Sequence, residues 1–162
     1  MMILEKYEKK RNFSATPEPE ANVEQKGENR FVVQEHNASR LHYDFRLEMP
    51  AEPNSKEIVL KSWAVPKGMP EKIGTKKLAL EVEDHPVSYI DFAGVIPEGN
   101  YGAGTVKIWD QGTFELFKRD AKVVEFILNG TKLQGRYSLV KTHYGSRGNS
   151  WLITKNSPKA VS

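Results

Sequence analysis

The chain contains no cysteine among its 162 residues. Disulfide bonds and metal sites built from thiolates are therefore both excluded, because each needs cysteine sulfur. A protein without disulfides suits a reducing compartment, so we expect it to work in the cytoplasm. At this length, the chain is able to bury a hydrophobic core without covalent cross-links.

Long apolar runs are also missing. The N-terminal segment 1–7 has too short an apolar stretch for a signal peptide. No other segment approaches the roughly 20 apolar residues that a membrane-spanning helix needs. We therefore expect a soluble protein that has no membrane partner.

Charge of one sign is not concentrated in any tail. The formal net charge is +3 and the sequence pI is near 9.0, with acidic residues between the basic ones almost everywhere. This balance is compatible with a nucleic-acid partner, although mildly basic proteins without such a partner are common. Any basic surface for nucleic acid has to be created by folding.

The composition divides the chain into an arm, one domain and a tail. Residues 1–29 are polar, with a basic run at 9–11, and this composition alone is typical of a flexible arm. We instead expect an arm that is partly ordered over the active site and contributes contacts there. Residues 30–157 are the predicted domain, and residues 158–162 are a predicted flexible tail.

Many short strand-like runs follow from residue 31 onward, separated by turn signals. They predict a mainly β protein, either an antiparallel sandwich or a barrel. The tripeptide 110–112 lies between two such runs and predicts a hairpin turn. Short helices are expected at 37–40 or near 70–72. Trp63, Trp109 and Trp151 lie in apolar runs and are expected in the core.

The segment 41–47 alternates strictly between apolar and polar residues. One parity carries Leu41, Tyr43, Phe45 and Leu47, and the other carries His42, Asp44 and Arg46. Successive side chains of a strand point to opposite faces, so the pattern predicts a half-buried strand. Its apolar face would enter a core, and its polar row would stand on the other side.

This polar row predicts a metal site beside an anion site. A turn signal at 37–39 would fold the chain back, so that His36, His42 and Asp44 meet at one ion. Two imidazoles and a carboxylate suit a borderline divalent transition metal. The planar guanidinium of Arg46 suits phosphate. The alternative is an exposed polar strand with incidental histidines.

A second candidate group follows another alternating run. Leu78, Leu80 and Val82 are expected to face the core, and His85 ends the run on the opposite parity. An imidazole titrates near neutral pH, so His85 is a candidate phosphate ligand or general acid, the alternative being a loop cap. The Tyr89 hydroxyl would donate to the same phosphate oxygen, or its ring would pack against the end of the barrel.

The glycine-rich segment 96–104 is the remaining motif. It lacks the Lys-Ser/Thr pair of a P-loop and opens no evident helix. Its glycines therefore predict positive-φ positions in a tight connection. His143 lies in the polar loop 142–147 and is expected at the surface.

Together these motifs resemble the 3′-phosphoesterase domain of the bacterial DNA ligase D end-joining system and its free-standing archaeal and bacterial relatives. The matching stretches are KRNF (10–13), TPEP (16–19), FVVQEH (31–36), HYDFRLE (42–48), KSWAVPKG (61–68), EDHP (83–86) with Tyr89, GVIPEG (94–99), YGAG (101–104) and WLI (151–153). They cover essentially the whole chain, and the stand-alone form is expected because no polymerase or ligase module is present. The resemblance implies a compact antiparallel β-barrel with short helices and a polar N-terminal arm.

The resemblance also implies an activity, a cofactor and partners. It implies a manganese-dependent enzyme that removes a 3′-terminal ribonucleoside, leaves a 3′-phosphate, and then hydrolyses that phosphate to a 3′-hydroxyl. Co²⁺, Zn²⁺ or another divalent ion can share the same ligands. The implied partners are the 3′ ends of RNA-tipped primer–template DNA and separate ligase, polymerase and Ku-like end-joining proteins.

Carried over residue by residue, the resemblance implies His36, His42 and Asp44 as metal ligands. Arg46 and His85 would hold the scissile phosphate, and Tyr89 would assist there, which completes a catalytic set of these six residues. The implied supporting or substrate-contacting residues are Arg11, Glu18, Gln34, Glu35, Lys67, Lys77 and Glu83. Asn12 departs from the family, which often has Asp there, so it removes a charge that bears on the diesterase step.

Two other functions compete with this expectation. A non-haem Fe(II) oxygenase would use His42, Asp44 and a distal His85 or His143 as a facial triad, and His36 would be dispensable. A non-catalytic nucleic-acid or end-joining adaptor would keep the barrel without the chemistry. The set of His, Asp and Arg residues argues against the adaptor.

Overall fold

The structure is a computed structural model, and it describes residues 3–22, 27–143, 145 and 147–157. The predicted tail at 158–162 lies outside the described residues. The regular elements in chain order are helix α1 (Glu5–Lys9), strands β1 (Arg30–Asn37), β2 (Leu41–Pro50), β3 (Ile58–Val65) and β4 (Lys76–His85), a 3₁₀ helix (Val87–Asp91), and strands β5 (Gly94–Ile96), β6 (Gly104–Arg119), β7 (Val123–Gly130), β8 (Gln134–Lys141) and β9 (Ser150–Ser157).

Eight of these strands close into an antiparallel barrel. Hydrogen bonds connect them in the order β1-β2-β3-β4-β9-β8-β7-β6, and β6 pairs with β1 to complete the ring. Strand β5 is added at the edge, where it pairs with the first residues of β6. A closed ring leaves few unpaired backbone groups, which stabilises an all-β fold. The predicted mainly β barrel with short helices is confirmed.

The barrel interior is an apolar core built from alternate residues of the strands. Strand β2 contributes Phe45 and Leu47, which are fully buried among side chains from the other strands. Trp63 and Trp151 are buried in the same core, as predicted, and Trp109 packs against it while partly buried. The inward parity predicted for the middle of 41–47 is therefore confirmed.

A second apolar layer covers the outer face of strands β1 to β3. The arm contributes Leu4 and Tyr7, the 3₁₀ helix contributes Tyr89 and Ile90, and they pack against outward-facing strand residues such as Val32. The outer face of the barrel is therefore not a solvent face in this region. The arm residues that the structure describes are packed onto the domain.

This second layer overturns the prediction that 41–47 is half-buried. Asp44 and Arg46, on the supposedly exposed parity, are only 7% and 3% exposed. Leu41, assigned to the core, is instead 48% exposed, because it lies at the first position of β2 beside the turn. Alternation identified the two faces correctly, but it carried no information about what covers the outer one.

Strand β4 contains a bulge, and the residues before the bulge face the side opposite to the one predicted. Leu60 pairs with His85 and Ser62 pairs with Val82, so β4 has one extra residue between these pairs. Before the bulge Ala79 faces the core, while Leu78, which was expected there, is 37% exposed. The extra residue lets the end of β4 direct His85 to the outer face, beside β3.

The hairpin predicted at 110–112 is wrong, because β6 continues through it as one strand of 16 residues. The Asp110 carboxylate accepts hydrogen bonds from the backbone N–H groups of Thr131 and Leu133, at 2.9 and 2.8 Å, and so closes the turn between β7 and β8. At Gly112 a Cβ would lie 2.1 Å from the Asn129 carbonyl oxygen, so glycine permits close strand contact. Asp110 therefore serves the turn between β7 and β8, and Gly112 serves the close approach of β6 to β7.

Neither short helix occurs where the sequence predicted one. Asn37 pairs with Leu41, which leaves only residues 38–40 for a tight turn between β1 and β2, and residues 70–72 are not helical. The short helices are Glu5–Lys9 and Val87–Asp91, both of which bury side chains against the barrel. Among the described residues, no helix is long and apolar enough to cross a membrane.

The packing of the arm predicts a large loss of stability for Tyr7→Ala. The Tyr7 ring is fully buried, lies edge-on to Tyr89 with centroids 6.0 Å apart, and its hydroxyl donates to the Pro19 carbonyl. Truncating a buried aromatic side chain costs about 3–5 kcal/mol. We expect a loss of that size in the free energy of unfolding, measured by urea titration.

Phe117→Ala is the matched control because Phe117 is 48% exposed, and its free energy of unfolding should change by no more than about 0.5 kcal/mol. Equal stability of the two variants would show that the arm does not form a second core layer.

Candidate active site

The hairpin of β1 and β2 brings the predicted metal ligands together. His36 pairs directly with His42, and Gln34 pairs with Asp44, so all four side chains share the outer face of the barrel. The ligand atoms of His36, His42 and Asp44 all lie within 4.8 Å of one another. The predicted turn at 37–39 therefore produces the predicted cluster, through strand register and not through a helix.

Backbone carbonyls fix both imidazole rings. His36 Nε2 lies 2.6 Å from the Gly102 carbonyl oxygen, and His42 Nδ1 lies 3.2 Å from the Arg40 carbonyl oxygen. Since a carbonyl only accepts, each of these nitrogens must donate its hydrogen. In neutral rings the other nitrogens, His36 Nδ1 and His42 Nε2, then carry lone pairs, and these are the atoms that face Asp44.

Three acceptor groups thus converge with no donor among them. His36 Nδ1 and His42 Nε2 each lie 3.3 Å from a different oxygen of the Asp44 carboxylate. Without a cation, each contact needs a second proton on the ring, and the Asp44 hydrogen bond accordingly raises the pKa of His42. A divalent ion supplies that positive charge directly, and ring nitrogens held from behind by carbonyls are typical of metal-binding histidines. The residues fit a divalent metal.

Asp44 stays ionised although it is buried. Burial opposes its ionisation, but contacts from His36 and His42 and the charge of Arg46 outweigh that cost and hold the pKa of Asp44 far below its usual range. Arg46 Nη2 lies 3.5 Å from Asp44 Oδ2. A permanent negative charge therefore sits between the two imidazoles and the guanidinium.

Arg46 is held in place with one donor group unused. Its Nε donates to Gln34 Oε1 at 2.7 Å, and its guanidinium carbon lies 4.9 Å from the centre of the Tyr89 ring. Among the described residues, the buried Nη1 has no hydrogen-bond partner. A buried donor without a partner costs about 1–3 kcal/mol, which an anionic ligand would recover. This supports the predicted anion site.

Gln34 orients Arg46. Its Nε2 donates to the Tyr89 and Phe92 carbonyl oxygens, both at 3.0 Å, so the amide can present only its oxygen to Arg46. Gln34 is completely buried and does not line the cavity described below. It therefore acts on a ligand only through the guanidinium.

The arm supplies a second cluster of charges to the same face. Arg11 Nε donates to Glu18 at 3.0 Å, its Nη1 lies 3.4 Å from Glu83, and its Nη2 lies 3.3 Å from His85 Nε2. Lys10 adds a second ion pair to Glu83 at 3.0 Å. The supporting residues Arg11, Glu18 and Glu83 are therefore brought together, next to His85.

His85 is arranged as a proton acceptor. Burial, followed by the charges of Arg46 and Arg11, lowers the pKa of His85 well below its ordinary value. Its Nδ1 donates to the Glu83 carbonyl oxygen at 2.9 Å, so Nε2 carries the lone pair that accepts from Arg11. Of the two predicted roles, general acid and phosphate ligand, each therefore requires His85 to take up a proton at Nε2 first.

The Tyr89 hydroxyl is engaged differently from the prediction. It donates to Glu18 Oε2 at 2.7 Å, so its hydrogen is not directed at a phosphate oxygen. Burial, reinforced by Glu18, raises the pKa of Tyr89 and keeps the phenol neutral. In this arrangement Tyr89 supports Arg46 with its ring and holds Glu18 with its hydroxyl.

A cavity of about 260 Å³ joins the metal cluster to the arm cluster. It is lined by Arg11, Glu18, His36, Ala38, Ser39, His42, Asp44, Arg46, Ala64, Val82, Glu83, His85, Tyr89, Ile96, Tyr101 and Gly102. All six residues predicted to be catalytic line it. Glu35, Lys67 and Lys77 do not: Glu35 is on the opposite side of β1, 3.5 Å from the Tyr43 hydroxyl, and Lys67 is exposed beyond the end of β3.

The glycine-rich segment contributes residues that the sequence did not assign to the site. Gly99 and Gly102 have positive φ values of 89° and 75°, which confirms their predicted role in a tight connection. The same connection places the Gly102 carbonyl against His36 and the Tyr101 side chain at the cavity. The signal in the sequence was the density of glycines at 96–104, which predicted a tight connection and not a part of the site.

The facial triad of an oxygenase is not assembled. Within the described residues, the cluster suited to a metal comprises His36, His42 and Asp44. His85 is bonded to Arg11 and Glu83, and His143 is exposed, as predicted. His36, which the oxygenase would not need, is one of the clustered ligands.

Comparison with known proteins shows similarity to phosphoesterase and end-joining proteins. The model of a family described as the DNA Ligase D 3′-phosphoesterase domain matches residues 34–141. The multifunctional non-homologous end joining protein LigD of Pseudomonas aeruginosa is 44% identical over 160 residues, covering 94% of this chain and 18% of that protein. The corresponding DNA repair protein of Mycobacterium tuberculosis is 45% identical over 155 residues, covering 92% of this chain and 19% of that protein. The chain thus spans about a fifth of the length of these relatives.

The cluster predicts that His36 and His85 differ in their effect on metal binding. We expect His36→Ala to weaken Mn²⁺ binding by more than about 100-fold, since even residues behind a ligand contribute 10–100-fold. His85→Ala should change it less than about threefold, because His85 is not part of the cluster. Calorimetric titration with MnCl₂ measures both, with the exposed His143→Ala as control. Strong dependence on His85 and none on His36 would instead support the oxygenase ligand set.

Proposed function

The chain belongs to the DNA ligase D 3′-phosphoesterase domain family of hydrolases, and we propose that it is a metal-dependent enzyme that heals the 3′ ends of nucleic acids. In the first proposed reaction, one water is consumed, the P–O5′ bond of the last phosphodiester breaks, and the terminal ribonucleoside leaves with a protonated 5′-oxygen. In the second, a further water is consumed, the P–O3′ bond of the resulting 3′-phosphate breaks, and inorganic phosphate is released to leave a 3′-hydroxyl. The proposed ion is Mn²⁺, and Co²⁺ or Zn²⁺ can share the same ligands.

One observation carries this proposal: a cluster of three acceptors lies beside a buried guanidinium with an unused donor. His36, His42 and Asp44 present lone pairs to one point, and Arg46 Nη1 has no partner among the described residues. Cation and phosphate binding would therefore satisfy both groups together. When bound, the metal would neutralise charge on a non-bridging phosphate oxygen.

Arg46 is the proposed clamp for the phosphate. Because Nε donates to Gln34 and Nη2 lies by Asp44, the guanidinium would meet two phosphate oxygens through Nη1 and the second N–H of Nη2. Gln34 and Tyr89 hold it in advance of the reaction. Donors fixed where charge develops stabilise a pentavalent transition state more than a mobile cation does. A proton taken up at His85 Nε2 would give the phosphate a further donor next to Arg46.

The diesterase step needs recognition of ribose as well as phosphate. Glu18 and Glu83 line the cavity and can accept hydrogen bonds from hydroxyl groups, so a 2′-hydroxyl would distinguish RNA from DNA. Asn12 is exposed, and its Oδ1 accepts hydrogen bonds from the Ser14 backbone N–H and hydroxyl at 3.2 and 2.7 Å. An aspartate would accept the same two bonds, so we propose that the diesterase step survives this departure from the family.

The proposed substrates are RNA-tipped primer–template ends in the cytoplasm. The LigD relatives are named for non-homologous end joining, which favours a role beside separate ligase, polymerase and Ku-like proteins. We also propose that residues 1–29 act as an arm that completes the site on the barrel domain, residues 30–157. Arg11 and Glu18 support this, because they line the cavity.

A labelled primer with two 3′-terminal ribonucleotides tests the proposed function. With Mn²⁺ we expect the primer to lose one nucleoside and gain a 3′-phosphate, which is then removed; EDTA should stop both steps. Denaturing electrophoresis separates the phosphate and hydroxyl products. Binding of the primer with no product at any Mn²⁺ concentration would contradict an enzyme and support the adaptor.

Arg46→Lys separates phosphate recognition from metal binding. A lysine keeps the charge but loses the planar fork, so we expect the rate of 3′-phosphate hydrolysis to fall by about 10²–10³. Mn²⁺ affinity, measured in parallel by calorimetry, should change less than about threefold. Arg136→Lys is the matched control, because Arg136 lies by Glu125 on the far side of the barrel. Equal losses of rate and Mn²⁺ affinity in Arg46→Lys would contradict this division of roles.

A further inference from the structure

Tyr101 is the exposed aromatic residue of the cavity. Its side chain lines the cavity and is 49% exposed, whereas Tyr89, the other tyrosine there, is 3% exposed and fully engaged. Tyr101 is neither one of the proposed metal ligands nor one of the residues proposed to hold the phosphate. A half-exposed aromatic ring at the mouth of a nucleic-acid site is a usual surface for a base to stack on, and nearby cations add to such stacking.

The loop that carries Tyr101 is anchored to the metal cluster by a contact with His36. The next residue, Gly102, accepts the hydrogen bond from His36, and a Cβ at Gly102 would lie 3.3 Å from His36 Cε1. On the other side, Asn100 Nδ2 donates to the Ala15 carbonyl oxygen of the arm at 3.4 Å and to the Pro97 carbonyl oxygen at 3.1 Å. The backbone on both sides of Tyr101 is therefore anchored, to His36 on one side and to the arm on the other.

Positive and negative side chains both surround Tyr101. Lys10 Nζ lies 4.6 Å from the ring centre and pairs with Glu83, and Arg11, 5.4 Å from the same ring, pairs with Glu18 and Glu83. The cations on this side are thus already matched by carboxylates. A strand that continues with further phosphates would meet those carboxylates, but the terminal nucleoside has no further phosphate and offers only hydroxyl groups.

We propose that the Tyr101 ring is the stacking surface for the base of the nucleoside that leaves in the diesterase step. This inference rests on the proposed function and adds a specificity-determining residue to it. Tyr101 recognises the leaving group and not the phosphate. It therefore acts in nucleoside removal and has no partner in the second reaction, where no nucleoside lies beyond the phosphate.

Phe117 shows that exposure and a nearby cation are not sufficient for this role. It is 48% exposed, and the Arg136 guanidinium carbon lies 4.6 Å from its ring, much like Lys10 over Tyr101. Phe117 does not line the cavity, however. Phe117→Ala is therefore a matched control for the loss of an exposed, cation-bound aromatic ring.

The test compares two substrates in the full-length chain with Mn²⁺. One is a primer ending in two ribonucleotides, and the other is the same primer already ending in a 3′-phosphate. We expect Tyr101→Ala to lower kcat/KM for nucleoside removal by roughly 5- to 150-fold, mainly through KM, as for other base-stacking residues. Removal of the 3′-phosphate should change less than about twofold. Tyr101→Phe should retain nucleoside removal because it keeps the ring.

A primer whose last ribose lacks a base provides the decisive comparison. Wild-type protein should cleave it as poorly as Tyr101→Ala cleaves the complete primer, and Tyr101→Ala should cause no further loss. Phe117→Ala should leave both reactions unchanged, and Mn²⁺ affinity should be the same in all variants, which excludes misfolding. Equal losses in both reactions, or a loss in Tyr101→Phe as large as in Tyr101→Ala, would overturn the stacking role. Failure of the wild-type protein on both substrates would overturn the proposed function instead.

Discussion

The buried carboxylate of Asp44 is the constraint on which the rest of the site depends. It is 7% exposed, yet it remains charged because two imidazoles and one guanidinium surround it. An unpaired charge at this depth would cost several kcal/mol. The two rings contribute donors to Asp44 only if both are doubly protonated, so a divalent cation is the simpler way to balance the charge. The metal hypothesis therefore follows from hydrogen bonding in this chain as well as from its family.

The arm packs onto the same outer face of the barrel and lines the cavity together with Asp44. Tyr7 and the segment around Arg11 and Glu18 cover a face of the barrel that a strand would otherwise expose to water. Covering it lowers the local dielectric, which strengthens the contact between Arg46 and Asp44 and would strengthen that of Arg46 with the proposed phosphate. The same cover places Arg11 against His85 and so fixes His85 as an acceptor. The packing of the arm on the barrel therefore also shapes the cavity, because Arg11 and Glu18 line it.

Much of this was readable from the sequence, where local patterns decide local structure. The parity of His42, Asp44 and Arg46, the turn before them and their meeting with His36 required only a hairpin in register. The exposed Leu78 could not be predicted, because one extra residue in β4 reverses the parity on the way to His85. The continuity of β6 was also hidden, since Asp110 closes a turn more than 20 residues away in sequence. The role of the Tyr89 hydroxyl was also hidden, because its partner Glu18 lies in the arm. No hydrophobic periodicity in that polar segment indicated that it packs on the barrel.

We expect one outer face of the barrel to hold a metal through two imidazoles and to bind a phosphate beside it. Pulsed electron paramagnetic resonance of the Mn²⁺-loaded protein measures both features at once, through couplings to nitrogen and phosphorus nuclei. We expect couplings from two imidazole nitrogens, one of them lost in His36→Ala, and a phosphorus coupling when inorganic phosphate is added. A single imidazole nitrogen in the wild-type protein, or no phosphorus coupling at saturating phosphate, would contradict it.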